Sequence, residues 1–228
     1  MGVIAGVPDI LWRPVPGGTV EIERYGERYS TFQVQPFRMA AFPVTFAQFR
    51  AFLDAKDGYA NKRWWEDLKH EDRDPAWESK LWNHPVTNVS WFDATAFCRW
   101  LSAQLDLGVR LPDDQEWQQA AQSAKGYAYP WGPEWLDGRA NTDESDLKHL
   151  TAVGMFPHGD SLQKVSDLSG NVFDWCRNED EELDRAKPGG EQSRVLRGGP
   201  GTTIRTSRAR TAAAATVRSS GTTTSVFA

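Results

Sequence analysis

Leu168-Ser-Gly-Asn-Val-Phe-Asp-Trp175, with Arg194-Val-Leu-Arg-Gly-Gly199 downstream of it, decides what kind of fold this chain adopts. Val172–Cys176 and Arg194–Arg197 are short strand-like pieces that alternate with glycine, proline, asparagine and aspartate. Thr151–Phe156 reads the same way. From Gly126 onward helical periodicity is absent, so this half is expected to be short strands joined by ordered loops.

Helices lie upstream. Thr45 and Gln48 have the spacing of a capping box, and Phe46, Phe49, Phe52 and Leu53 follow at helical period. Asn88-Val-Ser90 opens a second helix with Ala94, Phe97, Cys98 and Leu101 on one face, ended at Gly108. Asp113 and Glu116 make a third capping box ahead of Trp117, Ala120, Ala121 and Ala124, with Gly126 as the stop. Trp12-Arg-Pro-Val-Pro-Gly-Gly18 reads as a turn into a strand at Thr19–Glu23, and Gly58 to Asn83 as a long polar loop. The expected class is α+β in a single domain over 1–228, with no linker or internal repeat.

Composition agrees. At 39% hydrophobic and 25% charged, the 228 residues suit one soluble core and are too apolar for a disordered chain. No apolar run reaches membrane-spanning length, and Met1-Gly-Val-Ile-Ala-Gly6 lacks a basic leader, so a cytoplasmic protein is expected. Two cysteines, Cys98 and Cys176, cannot build a disulfide framework. Eleven tryptophans are many for this length; a core that relies on large rings accounts for them better than a stacking surface for sugars or bases.

Net charge is −5, but it is divided unevenly. From Glu191 to the end the chain carries +5, through arginines 194, 197, 205, 208, 210 and 218, leaving −10 on residues 1–190. Internal pairing of those arginines with acids of the body, such as Glu179–Glu182, is expected ahead of nucleic-acid binding.

Familiar catalytic patterns are missing. The four histidines (70, 84, 149 and 158) have no metal-pair spacing, and neither a nucleophile elbow nor a phosphate-binding glycine loop occurs. Cys98 falls on an apolar helix face and Cys176 in a strand, both structural positions. Asp113, Asp114 and Glu116 are explained by capping and the helix dipole.

His84-Pro-Val-Thr-Asn-Val-Ser-Trp91, Asp93–Leu101, Arg110-Leu-Pro-Asp-Asp-Gln-Glu-Trp117, Tyr129-Pro-Trp-Gly132, Leu168–Trp175 and Arg194–Gly199 occur in an order that resembles the formylglycine-generating-enzyme-like (sulfatase-modifying-factor) domain. Pro16-Gly-Gly18 and Pro43-Val-Thr45 fit its opening. The resemblance implies that branch of the C-type lectin fold. It also implies an oxidase of protein cysteine, because active members hold copper(I) on two cysteines of the C-terminal segment. No cysteine follows Arg197 here, so a catalytic role is not expected, and a degenerate or alternative oxidase is the second reading.

The terminal segment departs from the family in a second way. Pro200 to Ser225 contains no asparagine, aromatic, acid or lysine, where the family is rich in asparagine. Its Thr, Ser, Ile, Ala, Val, Gly, Pro and Arg are all reached by changing the adenines of an asparagine codon. This resembles the variable protein of a diversity-generating retroelement. That resemblance implies a non-catalytic display protein in which residues 200–225 form a ligand surface on a rigid scaffold. Surface positions by that resemblance are Thr202, Thr203, Ile204, Thr206, Ser207, Thr211, Ala213, Ala214, Thr216, Ser219, Ser220 and Thr222. A low-complexity tail is the alternative.

The implied partner is a protein or other macromolecular ligand, bound by a monomer with no membrane insertion. Small residues make poor hot spots, so this variant is expected to bind weakly. No cofactor is implied except calcium, for which the resemblance offers Asn141, Asn171 and Asp174 as oxygen ligands.

Overall fold

A computed structural model of the protein describes residues 2–24, 27–69, 81–122, 126–179, 192–199, 206–210 and 224–225. Strands β1 (Val3–Ile4), β2 (Val7–Pro8), β3 (Trp12–Val15), β4 (Gly18–Arg24), β5 (Glu27–Val34) and β6 (Phe37–Ala40) come first. Helices α1 (Phe46–Asp54), α2 (Trp91–Leu105) and α3 (Asp114–Gln122) follow, then β7 (Gly170–Glu179), β8 (Ser193–Gly199), β9 (Thr206–Arg210) and β10 (Thr224–Ser225). The α+β class is as expected. Among the described residues no helix is long and apolar enough to cross a membrane.

The capping signals translate directly into helix starts. Thr45 and Gln48 form the reciprocal box before α1, and Ser90 with Asp93 forms another before α2. Their periodic apolar faces then meet. Phe97 stacks on Phe49 with ring centroids 5.4 Å apart and touches Phe52 edge-on at 5.9 Å, while Trp100 leans on Phe52 at 5.3 Å. Such offset and edge contacts add to the area these rings bury.

Strand pairing sorts the rest into small sheets. β3 pairs with β6, and β4 with β5, each antiparallel. The second cluster lies under these ribbons, with Trp117, Ala120 and Ala121 of α3 against Val15, Ile22, Met39 and Val195. Gln119 donates to the Pro16 carbonyl at 2.9 Å, fastening α3 to the start of β4. Trp64, Trp65, Trp91, Trp100, Trp117 and Trp175 are buried, which gives most of the eleven tryptophans to the core; Trp82 is exposed.

Four expectations change. Trp12–Val15, read as part of a turn, is strand β3. Thr151–Phe156 is not a strand but a turn whose Val153 N–H reaches back to the Asn83 carbonyl at 3.0 Å. The supposed long loop contains a 3-10 turn at Lys62–Trp65, capped by Asn61, that buries both tryptophans. The third capping box is only half made. Glu116 accepts from the Asp113 N–H at 2.8 Å, but the Asp113 carboxylate goes to Arg177 at 2.9 and 2.8 Å. Asn178 instead accepts from the Asp114 N–H at 2.7 Å, so β7 caps α3 from outside. Ala124 lies outside the described residues.

Candidate functional site: the sheet that carries the terminal segment

β7 and β8 form the centre of a four-stranded sheet in the order β10-β7-β8-β9. β9 runs antiparallel to β8 from Arg197↔Thr206 to Ser193↔Arg210, and β10 runs parallel to β7 at Phe173↔Thr224 and Asp174↔Ser225. Two pieces of the terminal segment therefore occupy the two outer borders of one sheet. Of the surface positions inferred from sequence, Thr206 and Ser207 are in β9. Thr202, Thr203, Ile204, Thr211, Ala213, Ala214, Thr216, Ser219, Ser220 and Thr222 lie outside the described residues.

The sheet is anchored from beneath by charge. Arg197 of β8 is 2% exposed and donates through Nε to the fully buried Asp114 carboxylate, with its guanidinium 5.6 Å from the Trp117 ring. Arg194 is equally buried. Its guanidinium lies 4.1 Å over the Trp91 ring, donates to the Arg177 carbonyl at 2.8 Å and approaches Glu179 at 3.9 Å. Burial lowers the Arg194 pKa from the usual guanidinium value, with Glu179 acting against it. The internal pairing expected of the arginines thus holds for 194 and 197. Among the described residues the partners are Glu179 and Asp114; residues 180–182, Arg205, Arg218 and the side chains of Arg208 and Arg210 lie outside what is described.

Where the segment departs, the backbone is fixed. Gly199 has φ +91°, and a Cβ there would sit 2.2 Å from the Phe173 ring. Gly170, opposite it in the register, has φ +92° and would push a Cβ to 2.5 Å from the Asn141 carbonyl. Neither position accepts a side chain.

The three residues offered for calcium are already engaged. Asn141 donates to Asn171 Oδ1 at 3.1 Å and to the His149 carbonyl at 2.9 Å, and its own oxygen accepts from Ser145 at 3.2 Å. Asn171, at φ +62°, takes the Thr151 N–H at 3.0 Å and returns a bond to the Thr151 carbonyl at 3.2 Å. Asp174 accepts from Trp117 Nε1 at 2.9 Å, under the sheet. The two asparagines thus bond each other and fasten the His149–Thr151 loop.

The sequence reading missed Asp167. Its carboxyl is buried, one oxygen has no hydrogen-bond partner among the described residues, and burial pushes its pKa up to about 7, with hydrogen bonds from Asn171 and Gly154 opposing. Its place three residues before Gly170 was the available signal, but burial is not written in a residue name. Both cysteines are buried and free. Burial raises the Cys98 thiol to about 12 and the Cys176 thiol well above its ordinary value, so neither supplies a thiolate at neutral pH.

Short strands, capped helices and long ordered loops make this a lectin-type α+β domain. The same architecture is found in Treponema denticola variable protein 1, with a TM-score of 0.67 at 17% identity over 95% of this chain and 94% of that one. The chain belongs to the sulfatase-modifying factor enzyme 1-like domain family, whose model matches residues 8–226. It is 28% identical to a formylglycine-generating enzyme of Streptomyces coelicolor, across 81% of this chain and 76% of that protein. It is 30% identical to the mouse inactive C-alpha-formylglycine-generating enzyme 2, across 72% of this chain and 63% of the relative. The chain is thus similar both to a protein named as an enzyme and to one named as inactive.

Proposed function

We propose that the protein is a non-catalytic display protein, the variable protein of a diversity-generating retroelement, whose body holds residues 200–225 as a changeable ligand-binding surface. The observation that carries this reading is the main-chain pairing of β9 and β10 along both borders of the β7–β8 pair. A backbone ladder uses N–H and C=O groups that every residue except proline supplies, so its path is indifferent to most side chains. The composition of the segment supports the same reading, as does the architecture shared with a variable protein.

The partner on this reading is a protein or other macromolecule. Buried, protonated thiols and the lack of cysteine after Arg197 speak against the oxidase alternative. A library randomised at the twelve surface positions tests the proposal. Most members should keep the parent melting temperature, and selection on macromolecular targets should return binders. Copper-dependent oxidation of a cysteine-containing peptide by the parent chain, or collapse of most library members, would overturn it.

A further inference from the structure

Far from the terminal segment in sequence, a groove lies between the β3–β6 ribbon and the connection from α2 to α3. It encloses about 340 Å³, within the range of small-molecule pockets. Trp12 and Phe37 from the ribbon and Leu107 and Val109 from the connection give it an apolar lining. Leu107 is 55% exposed at its edge, a large apolar side chain left uncovered.

Two cations belong to this lining, and they differ. The Arg110 guanidinium is held in a two-pronged pair by Glu116, at 2.7 Å for each contact, with Asp113 at 3.8 Å. That charge is spoken for. Arg38 is exposed and has no ion-pair partner among the described residues. An apolar hollow with one uncompensated cation selects a ligand with an apolar body and a single negative charge.

We propose that this groove binds a small anionic amphiphile: an aromatic or branched aliphatic body lies against Trp12 and Phe37, and its carboxylate or sulfonate meets Arg38. The site is independent of the display reading and would stand if that reading fell. Gly108 offers a way to close it, because a Cβ built there has nothing within 4 Å and its φ is not in the left-handed region.

The full-length chain is titrated with 8-anilinonaphthalene-1-sulfonate and, in parallel, with uncharged N-phenyl-1-naphthylamine. The sulfonate should bind with one-to-one stoichiometry. Arg38→Gln should weaken it by roughly tenfold, the worth of one charged hydrogen bond, while leaving the neutral probe unchanged. Gly108→Phe should abolish binding of both with an unaltered melting temperature. Sulfonate binding that survives Gly108→Phe, or an Arg38→Gln effect that is nil or equal for both probes, would overturn the proposal. Arg38 is exposed, so its variant carries the test even if Gly108→Phe unfolds the chain.

Discussion

The two halves of the core solve burial in opposite ways. Between α1 and α2, Phe49, Phe52, Phe97 and Trp100 pack ring on ring, and stability there follows from apolar area and shape. Between α3 and the β7–β8 pair the same depth holds Arg194, Arg197, Asp114 and Asp174, each joined to a partner or laid against an indole. Apolar packing tolerates small shifts. A buried ion pair does not, because displacing one member strands the other charge. The rigid, directional half is the one under the sheet that carries the terminal segment.

The contrast is sharpest under substitution. Arg197→Met should destabilise the protein by about 3–5 kcal/mol in urea unfolding, since Asp114 is left buried without its guanidinium. The double variant Arg197→Met with Asp114→Asn should recover a large part of that loss. Phe97→Ala should cost a similar amount, about 3–5 kcal/mol, through the cavity it leaves, and no partner substitution of comparable simplicity should restore it. If the double variant is no better than the single one, the ionic half behaves like the aromatic half and the distinction fails.

A smaller effect tests the buried acid at the foot of β7, Asp167. The Asp167 carboxyl holds its proton more tightly when folded, with a pKa of about 7 against 3.8 for the free side chain. The native state therefore binds more protons between those values, and stability falls as pH rises through that window, then levels off above it. Asp167→Asn should remove this component and leave the variant more stable than the parent at about pH 8, by an amount on the order of a few kcal/mol. Denaturation of both proteins at about pH 5 and 8, in chelator, checks the sign. A parent that gains stability over the Asn variant on going alkaline would contradict it.

The smallest effects belong to β9. Thr206→Ala and Ser207→Ala should each move stability by less than about 0.5 kcal/mol, because a main-chain ladder keeps its hydrogen bonds when the side chain is cut back. Losses above about 1 kcal/mol would mean that side chains, not the ladder alone, hold that border in place.

The helices and the central strands were legible in the sequence because their signals are local. Thr45 carries its partner Gln48 three residues away, Ser90 stands at the start of its helix, and Val172–Cys176 and Arg194–Arg197 stand out as short strand-like pieces. What stayed hidden depends on long-range neighbours. Asp113 looks like a helix cap until Arg177, 64 residues on, claims its carboxylate. Thr151–Phe156 has the apolar content of a strand, but its Val153 N–H is committed to Asn83. The arginine pairing was anticipated in kind, but the partner that Arg197 meets, Asp114, stands 83 residues away in sequence. Of the site, the two central strands could be read, whereas the border strands β9 and β10 and the buried state of Asp167 could not.

Gly199 leaves no room for even a methyl group beside Phe173. That crowding draws a frontier in the chain, and a foreign sequence spliced in across it would break the seam. Anyone grafting a new recognition loop onto this scaffold should cut after position 199 and leave both glycines untouched.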